Sequence, residues 1–260
     1  VSLPLYQVDA FTDRVFGGNP AAVVPLEQWL PDAVMQAIAA ENNLSETAFF
    51  APEGDGWRLR WFTPTAEIDL CGHATLASAF VLFECLNLAA QTVAFETLGG
   101  RLEVSREGER LVMDFPARPP KRRIGPEGLA EALGAEPKEV LSARDLICVF
   151  ETEAQVRALS PNMARLARLP AFAVCPTAPG DDCDFVSRFF APGAGVPEDP
   201  VTGSAHCSLV PYWAKRLGKK DLHARQVSAR GGELFCRDNG ERVVIAGRAV
   251  LYLEGRINLP

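Results

Sequence analysis

Lysine is scarce in this chain of 260 residues. Only five are present (121, 138, 215, 219 and 220), and 26 basic residues stand against 33 acidic ones for a net charge of −7. The arginines are scattered, which argues against a nucleic-acid partner, because phosphate backbones are held by clustered Lys and Arg. No apolar run reaches the eighteen or so residues that a membrane helix needs, so no membrane association is expected. The opening Val1-Ser2-Leu3-Pro4 shows neither the basic stretch nor the apolar core of a secretion signal. Seven cysteines, odd in number and without a Cys-x-x-Cys pair, argue against a disulfide framework and a structural zinc site. The expected compartment is therefore reducing, the cytoplasm.

Several familiar chemical devices are missing as well. The glycine-rich loops that cradle phosphates or dinucleotides do not occur. The lysines avoid the motif segments described below, against a pyridoxal Schiff base. Gly203-Ser204-Ala205-His206 is not the nucleophile elbow of a hydrolase. Asp181-Asp182-Cys183-Asp184 has the spacing of no calcium loop and reads as a solvated acidic turn. Neither a metal nor a cofactor is expected.

The chain does contain a repeat of itself. Arg60-Trp61-Phe62-Thr63-Pro64 is echoed by Arg188-Phe189-Phe190-Ala191-Pro192, 128 residues later. Seven residues beyond each proline stand Cys71 and Asp199, each followed by small residues: Cys71-Gly72-His73-Ala74-Thr75 and Asp199-Pro200-Val201-Thr202-Gly203-Ser204-Ala205. Gly99-Gly100 with Gly108 returns as Gly231-Gly232 with Gly240, and Met35 and Met163 open similar helical stretches. A period of half the chain implies a duplicated domain and not a solenoid. The proline-rich, basic stretch Pro116 to Arg123 reads as a linker that cannot continue a sheet. The expected domains are 1–118 and 119–260, with the extreme C-terminus returning to the first.

Leu5–Phe11 and Trp57–Phe62 alternate as half-buried strands do, and Pro31–Glu41 reads as an amphipathic helix. Gly72–Leu86 is apolar on nearly every side, and such a helix must be enclosed. Its counterpart, Gly203–Leu217, carries Pro211 and is expected to kink. Each half is thus a sheet wrapped round a central helix, an α+β fold. The glycine-rich start of that helix is the expected functional end, since free N–H groups there receive a carboxylate or a developing oxyanion. Cys71 and His73 stand at one such end, Asp199 and Ser204 at the other, and all four can move or hold protons.

Three segments together carry a family resemblance: Asn43-Leu44-Ser45-Glu46-Thr47-Ala48-Phe49, Cys71-Gly72-His73-Ala74-Thr75 and Glu198 to Ala205. With Phe16-Gly17-Gly18-Asn19-Pro20, they are similar to the signature segments of the phenazine-biosynthesis (PhzF-like) isomerases. The resemblance implies the diaminopimelate epimerase-like fold of two pseudo-symmetric domains, with the active site between them. It also implies a homodimer and a small acid substrate. In the racemases of that superfamily two cysteines transfer protons, but here Cys71 fills the first place and Asp199 the second. The PhzF-like branch relies on a glutamate, matched by Glu46, with His73, Asp199 and Ser204 as further catalytic residues and Asn19, Gly72 and Gly203 as substrate-binding ones. Glu46 has no acidic counterpart in the second half, and Leu44, Ala48, Phe49 and Phe50 around it predict a desolvated carboxyl suited to accepting and returning a proton. Two other readings stay open at this point, an amino-acid racemase or epimerase and a non-catalytic binding protein.

Overall fold

Period-two burial and glycine turns shape the strands of a computed structural model that describes residues 1–259. The chain divides into two units, Val1–Asp114 together with the segment from Ala246 onward, and Phe115–Ile245. The first unit contains β1 (Ser2–Ala10), β2 (Asn19–Pro25), α1 (Asp32–Asn42), β3 (Glu46–Glu53), β4 (Gly56–Phe62), β5 (Glu67–Ile68) and α2 (Gly72–Phe80). β6 (Thr92–Thr97), β7 (Gly100–Glu107) and β8 (Arg110–Pro116) follow. β1 pairs antiparallel with β2 and with the final strand, Ala249–Asn258. β2 runs parallel to β3, which is antiparallel to β4.

A parallel pair needs a crossover, and α1 provides it between β2 and β3. Met35, Ile38 and Ala39 of that helix close over Val24, Phe49 and Phe62. α2 packs against β1, β2 and β3, with every residue from Gly72 to Ala79 buried. The all-round apolar helix is therefore enclosed, as its composition requires. It does not run as one α-helix to Leu86, however. A π turn takes over at Val81–Cys85, closed by the Leu86 N–H on the Val81 carbonyl, and three consecutive apolar residues, Val81, Leu82 and Phe83, are buried in it.

The second unit contains β9 (Lys121–Arg122), α3 (Leu129–Leu133), β10 (Glu139–Ser142), β11 (Leu146–Val149), α4 (Glu153–Ala158), α5 (Met163–Leu166), β12 (Val174–Pro179) and β13 (Phe185–Ser187). α6 (Gly203–Leu217), β14 (Asp221–Gln226) and β15 (Gly232–Asp238) follow. β11 is parallel to β12, and β13 to β14; the other steps from β9 to β15 are antiparallel. A core of Leu133, Cys148, Phe150, Val156, Leu166 and Phe190 lies under the short helices.

Two details depart from the sequence reading. The proline-rich stretch does contribute a strand, because Lys121 and Arg122 pair with Ser142 and Leu141 once the prolines are passed. Met163 opens a helix of only four residues, against eleven around Met35. Pro211 lies inside α6 without ending it. Its missing N–H deprives the Cys207 carbonyl of an intrahelical donor, and the backbone N–H of Arg118 takes that carbonyl at 2.8 Å.

Candidate functional site

In the first unit three turns bring Asn19, Glu46, Cys71 and His73 together. The turn before β2 is tight: Gly18 has φ +58°, and a Cβ there would lie 2.0 Å from the Ala10 carbonyl oxygen. Asp9 accepts the Phe16 N–H at 2.8 Å, and the chain then enters β2 with Asn19 fully buried. α1 ends at Asn43, left-handed at φ 50°, which starts the short link into β3 at Glu46. Cys71 is the N-cap of α2 but caps with no side-chain bond, and Gly72 opens the helix. Its carbonyl instead takes the Thr75 hydroxyl at 2.5 Å.

His73 is the centre of this group. Its Nε2 lies 3.1 Å from Glu46 Oε2. Its Nδ1 lies 3.2 Å from Asn19 Nδ2 and 3.5 Å from Cys71 Sγ. The Glu46 approach is short without the alignment of a hydrogen bond, so it is best described as an ion pair. The His73 side chain is 6% exposed and that of Glu46 14%, which leaves the carboxylate the more accessible end of the pair.

Burial by itself lowers the pKa of His73, but Cys71 and Glu46 outweigh it and hold the ring well above its ordinary 6.5. Burial raises the Cys71 thiol, and Glu46 raises it further. A thiol so raised is uncharged near neutrality. Glu46 adds to the effect of Cys71 from the opposite ring nitrogen. An imidazolium needs an acceptor at Nδ1, and a half-turn of the Asn19 amide supplies one in Oδ1.

Donor atoms of Glu46, Cys71 and His73 lie within 4.8 Å of one another, close enough to raise the question of a metal ion. The ring contacts them through opposite nitrogens, Nε2 toward Glu46 and Nδ1 toward Cys71. The imidazole stands between carboxylate and thiol.

In the second unit the loop before α6 holds Asp199, and Gly203 and Ser204 form the first turn of the helix. Thr202, not Ser204, is the N-cap. Its hydroxyl donates to Asp199 Oδ2 at 2.5 Å. Its N–H donates to Gln226 Oε1 at 2.9 Å, and its carbonyl lies 2.8 Å from His206 Nδ1. His206 is buried, which lowers its pKa to about 4 and keeps it neutral, so Nδ1 carries the proton. Sequence reasoning missed Thr202 and Gln226. A signal existed for Gln226, since it falls on the inward side of β14 with Leu222 and Ala224, where an amide is out of place.

The sequence profile of the family described as phenazine biosynthesis-like protein matches residues 8–255. The chain belongs to this family. Relatives of the PhzF-like chain include a Pseudomonas aeruginosa protein named an uncharacterized isomerase, 57% identical with both chains fully covered. Among solved structures, a PhzF-family protein from Enterococcus faecalis matches at a TM-score of 0.98 and 50% identity, again over the whole of both chains. A hydroxyproline epimerase from Agrobacterium vitis matches at 0.64 and 11% identity, over 98% of this chain and 92% of that one, a likeness of fold alone. The PhzF-like chain is thus an isomerase with the diaminopimelate epimerase-like α+β fold. Among its described residues, no helix is long and apolar enough to cross a membrane.

Proposed function

We propose that the protein is a cofactor-independent isomerase that moves a proton on a small carboxylate-bearing substrate, cyclic or amino-acid-like. Glu46 is the acid–base group. The observation that carries this reading is the Glu46–His73 pair, a partly accessible carboxylate on a buried ring whose far nitrogen is held by Asn19. Glu46 removes a proton from a carbon activated by the substrate's own carboxylate or enamine and returns it to another carbon. His73 stays protonated beside it and offsets the negative charge that develops as the carbon loses its proton. In the first unit the N–H groups at Gly72 receive the substrate's acidic group; in the second unit Gly203 opens a like helix start, and Asp199 and Ser204 are the proton-holding groups assigned to the reaction.

The test is a screen of small cyclic and amino-acid-like acids in heavy water, read by mass and proton NMR. Deuterium appearing at a carbon other than the one that lost its proton supports the reading. Exchange with inversion at a single carbon assigns a racemase or epimerase instead, and acids that bind without any exchange assign a binding protein. A homodimer belongs to the same proposal. It is supported by the exposed apolar pair Phe16 and Tyr252, whose rings meet edge-on at 5.5 Å. Light scattering that shows only monomer at micromolar concentration counts against the dimer.

A further inference from the structure

Gln226 ends β14 with a buried amide, 1% exposed, and its hydrogen bonds converge on one short segment of the second unit. Oε1 accepts the Thr202 N–H at 2.9 Å. Of the two N–H groups on Nε2, one goes to the Asp199 carbonyl at 2.7 Å and the other to Thr202 Oγ1 at 3.2 Å. The last of these contacts sets a direction. A hydroxyl carries a single proton. Because Gln226 donates into Oγ1, the proton of Thr202 points away from Gln226 and onto Asp199 Oδ2, 2.5 Å distant.

We infer that Gln226 and Thr202 are positioning residues for Asp199: the amide orients the hydroxyl, and the hydroxyl holds the Asp199 carboxylate in place as an acceptor. The inference rests on the assignment of Asp199 to the reaction made above. A clamp needed only to shape the loop is complete with the two backbone contacts, Gln226 Oε1 to the Thr202 N–H and Nε2 to the Asp199 carbonyl. Ser228 pins the same loop independently through the Pro200 carbonyl, at 2.9 Å. The Thr202 hydroxyl adds nothing to that loop clamp. What it adds is a charge-assisted hydrogen bond to a carboxylate, the kind that is short, strong and directional.

The test compares Thr202→Val, Thr202→Ser and Gln226→Glu with the unaltered full chain. Valine keeps the shape of threonine and removes the donor, whereas serine keeps the donor. Glutamate at 226 still accepts the Thr202 N–H but has no N–H for Oγ1, so it draws the hydroxyl proton to itself and away from Asp199. The first readout needs no substrate: the carbon-13 Cγ resonance of Asp199, assigned with Asp199→Asn. It should be displaced in Thr202→Val and Gln226→Glu and stay in place in Thr202→Ser. The second readout is turnover of whichever acid exchanges deuterium. Thr202→Val should lose about tenfold or more in kcat with KM within about twofold, and serine should restore it. An Asp199 resonance unmoved in Thr202→Val overturns the inference, as does a Thr202→Val protein with the kcat of the parent. Failure of the isomerase reading is seen separately, in the behaviour of Glu46→Gln, because the Asp199 resonance is read in the absence of substrate.

Discussion

His73 turns one ring nitrogen, Nε2, toward Glu46 at 3.1 Å and keeps the other for Asn19. The pair so formed is lopsided, a nearly closed-off cation beneath a carboxylate with more freedom. Replacing Glu46 by Gln keeps the shape and removes the capacity to carry a proton. Turnover should fall by about a hundred- to ten-thousand-fold while substrate still binds. Asp, one methylene shorter, should retain a trace, because it transfers the proton from the wrong distance. Melting temperature and turnover measured on the same samples separate this from lost folding. A folded Glu46→Gln protein with normal turnover ends the mechanism.

His73 should report on the same substitution without any substrate. Its folded pKa is raised above 6.5, so the pair stabilises the fold fully below that value and the contribution is lost as pH climbs through the raised one. In Glu46→Gln one of the two groups that raise the ring is gone, so the ring pKa should fall. The imidazole carbon-bound protons, followed by NMR against pH, should show a lower midpoint in Glu46→Gln than in the parent. A midpoint that does not move would show that Glu46 does not raise the ring.

Cys71 should prove dispensable. Its thiol is raised by burial and by Glu46, the reverse of what an activated nucleophile requires. Cys71→Ala is expected to keep turnover within about threefold of the parent, since no proton route through the thiol is needed. Iodoacetamide at neutral pH should inactivate far more slowly than it alkylates free cysteine. A loss in Cys71→Ala that matches Glu46→Gln would return the thiol to the chemistry.

Local sequence made the first-unit group legible and left the second-unit network hidden. Glu46, Cys71 and His73 lie at a strand start and a helix start, and residue type together with spacing announces both places. Asp199 and Ser204 were visible through the repeat. Gln226 is 24 residues from Thr202 in sequence, and only the pairing of β14 with its neighbours makes them meet. The π turn after Phe80 was equally hidden, because an apolar run is compatible with either helical spacing. The short strand at Lys121 is masked by the prolines before it, although a proline keeps only its own position out of a ladder.

Asp145 offers a test of stability unrelated to the site. It is 4% exposed, its Oδ1 has no hydrogen-bond partner among the described residues, and burial pushes its carboxyl up to about 6 against the pull of Arg144 and Arg118. A raised acid binds its proton more tightly when folded, so stability declines as pH rises from about 4 to about 6 and the cost is complete at neutrality. Asp145→Asn should therefore stabilise the protein at pH 8 by on the order of 2 kcal/mol, with the gain vanishing toward pH 4. Thermal melts of both proteins at the two pH values decide it. An equal gain at both rules out ionisation as the cause.

The contact between Arg118 and Cys207 gives Pro211 a meaning beyond its own helix. A carbonyl four residues ahead of a proline is the one acceptor in a helix interior that its own ladder leaves unclaimed. The segment leaving Pro116 docks on that acceptor, and within a few residues it meets β10 in register. A residue known for interrupting helices thus serves as an address for a distant stretch of chain. Alanine at 211 would return a donor to the Cys207 carbonyl and set it in competition with Arg118.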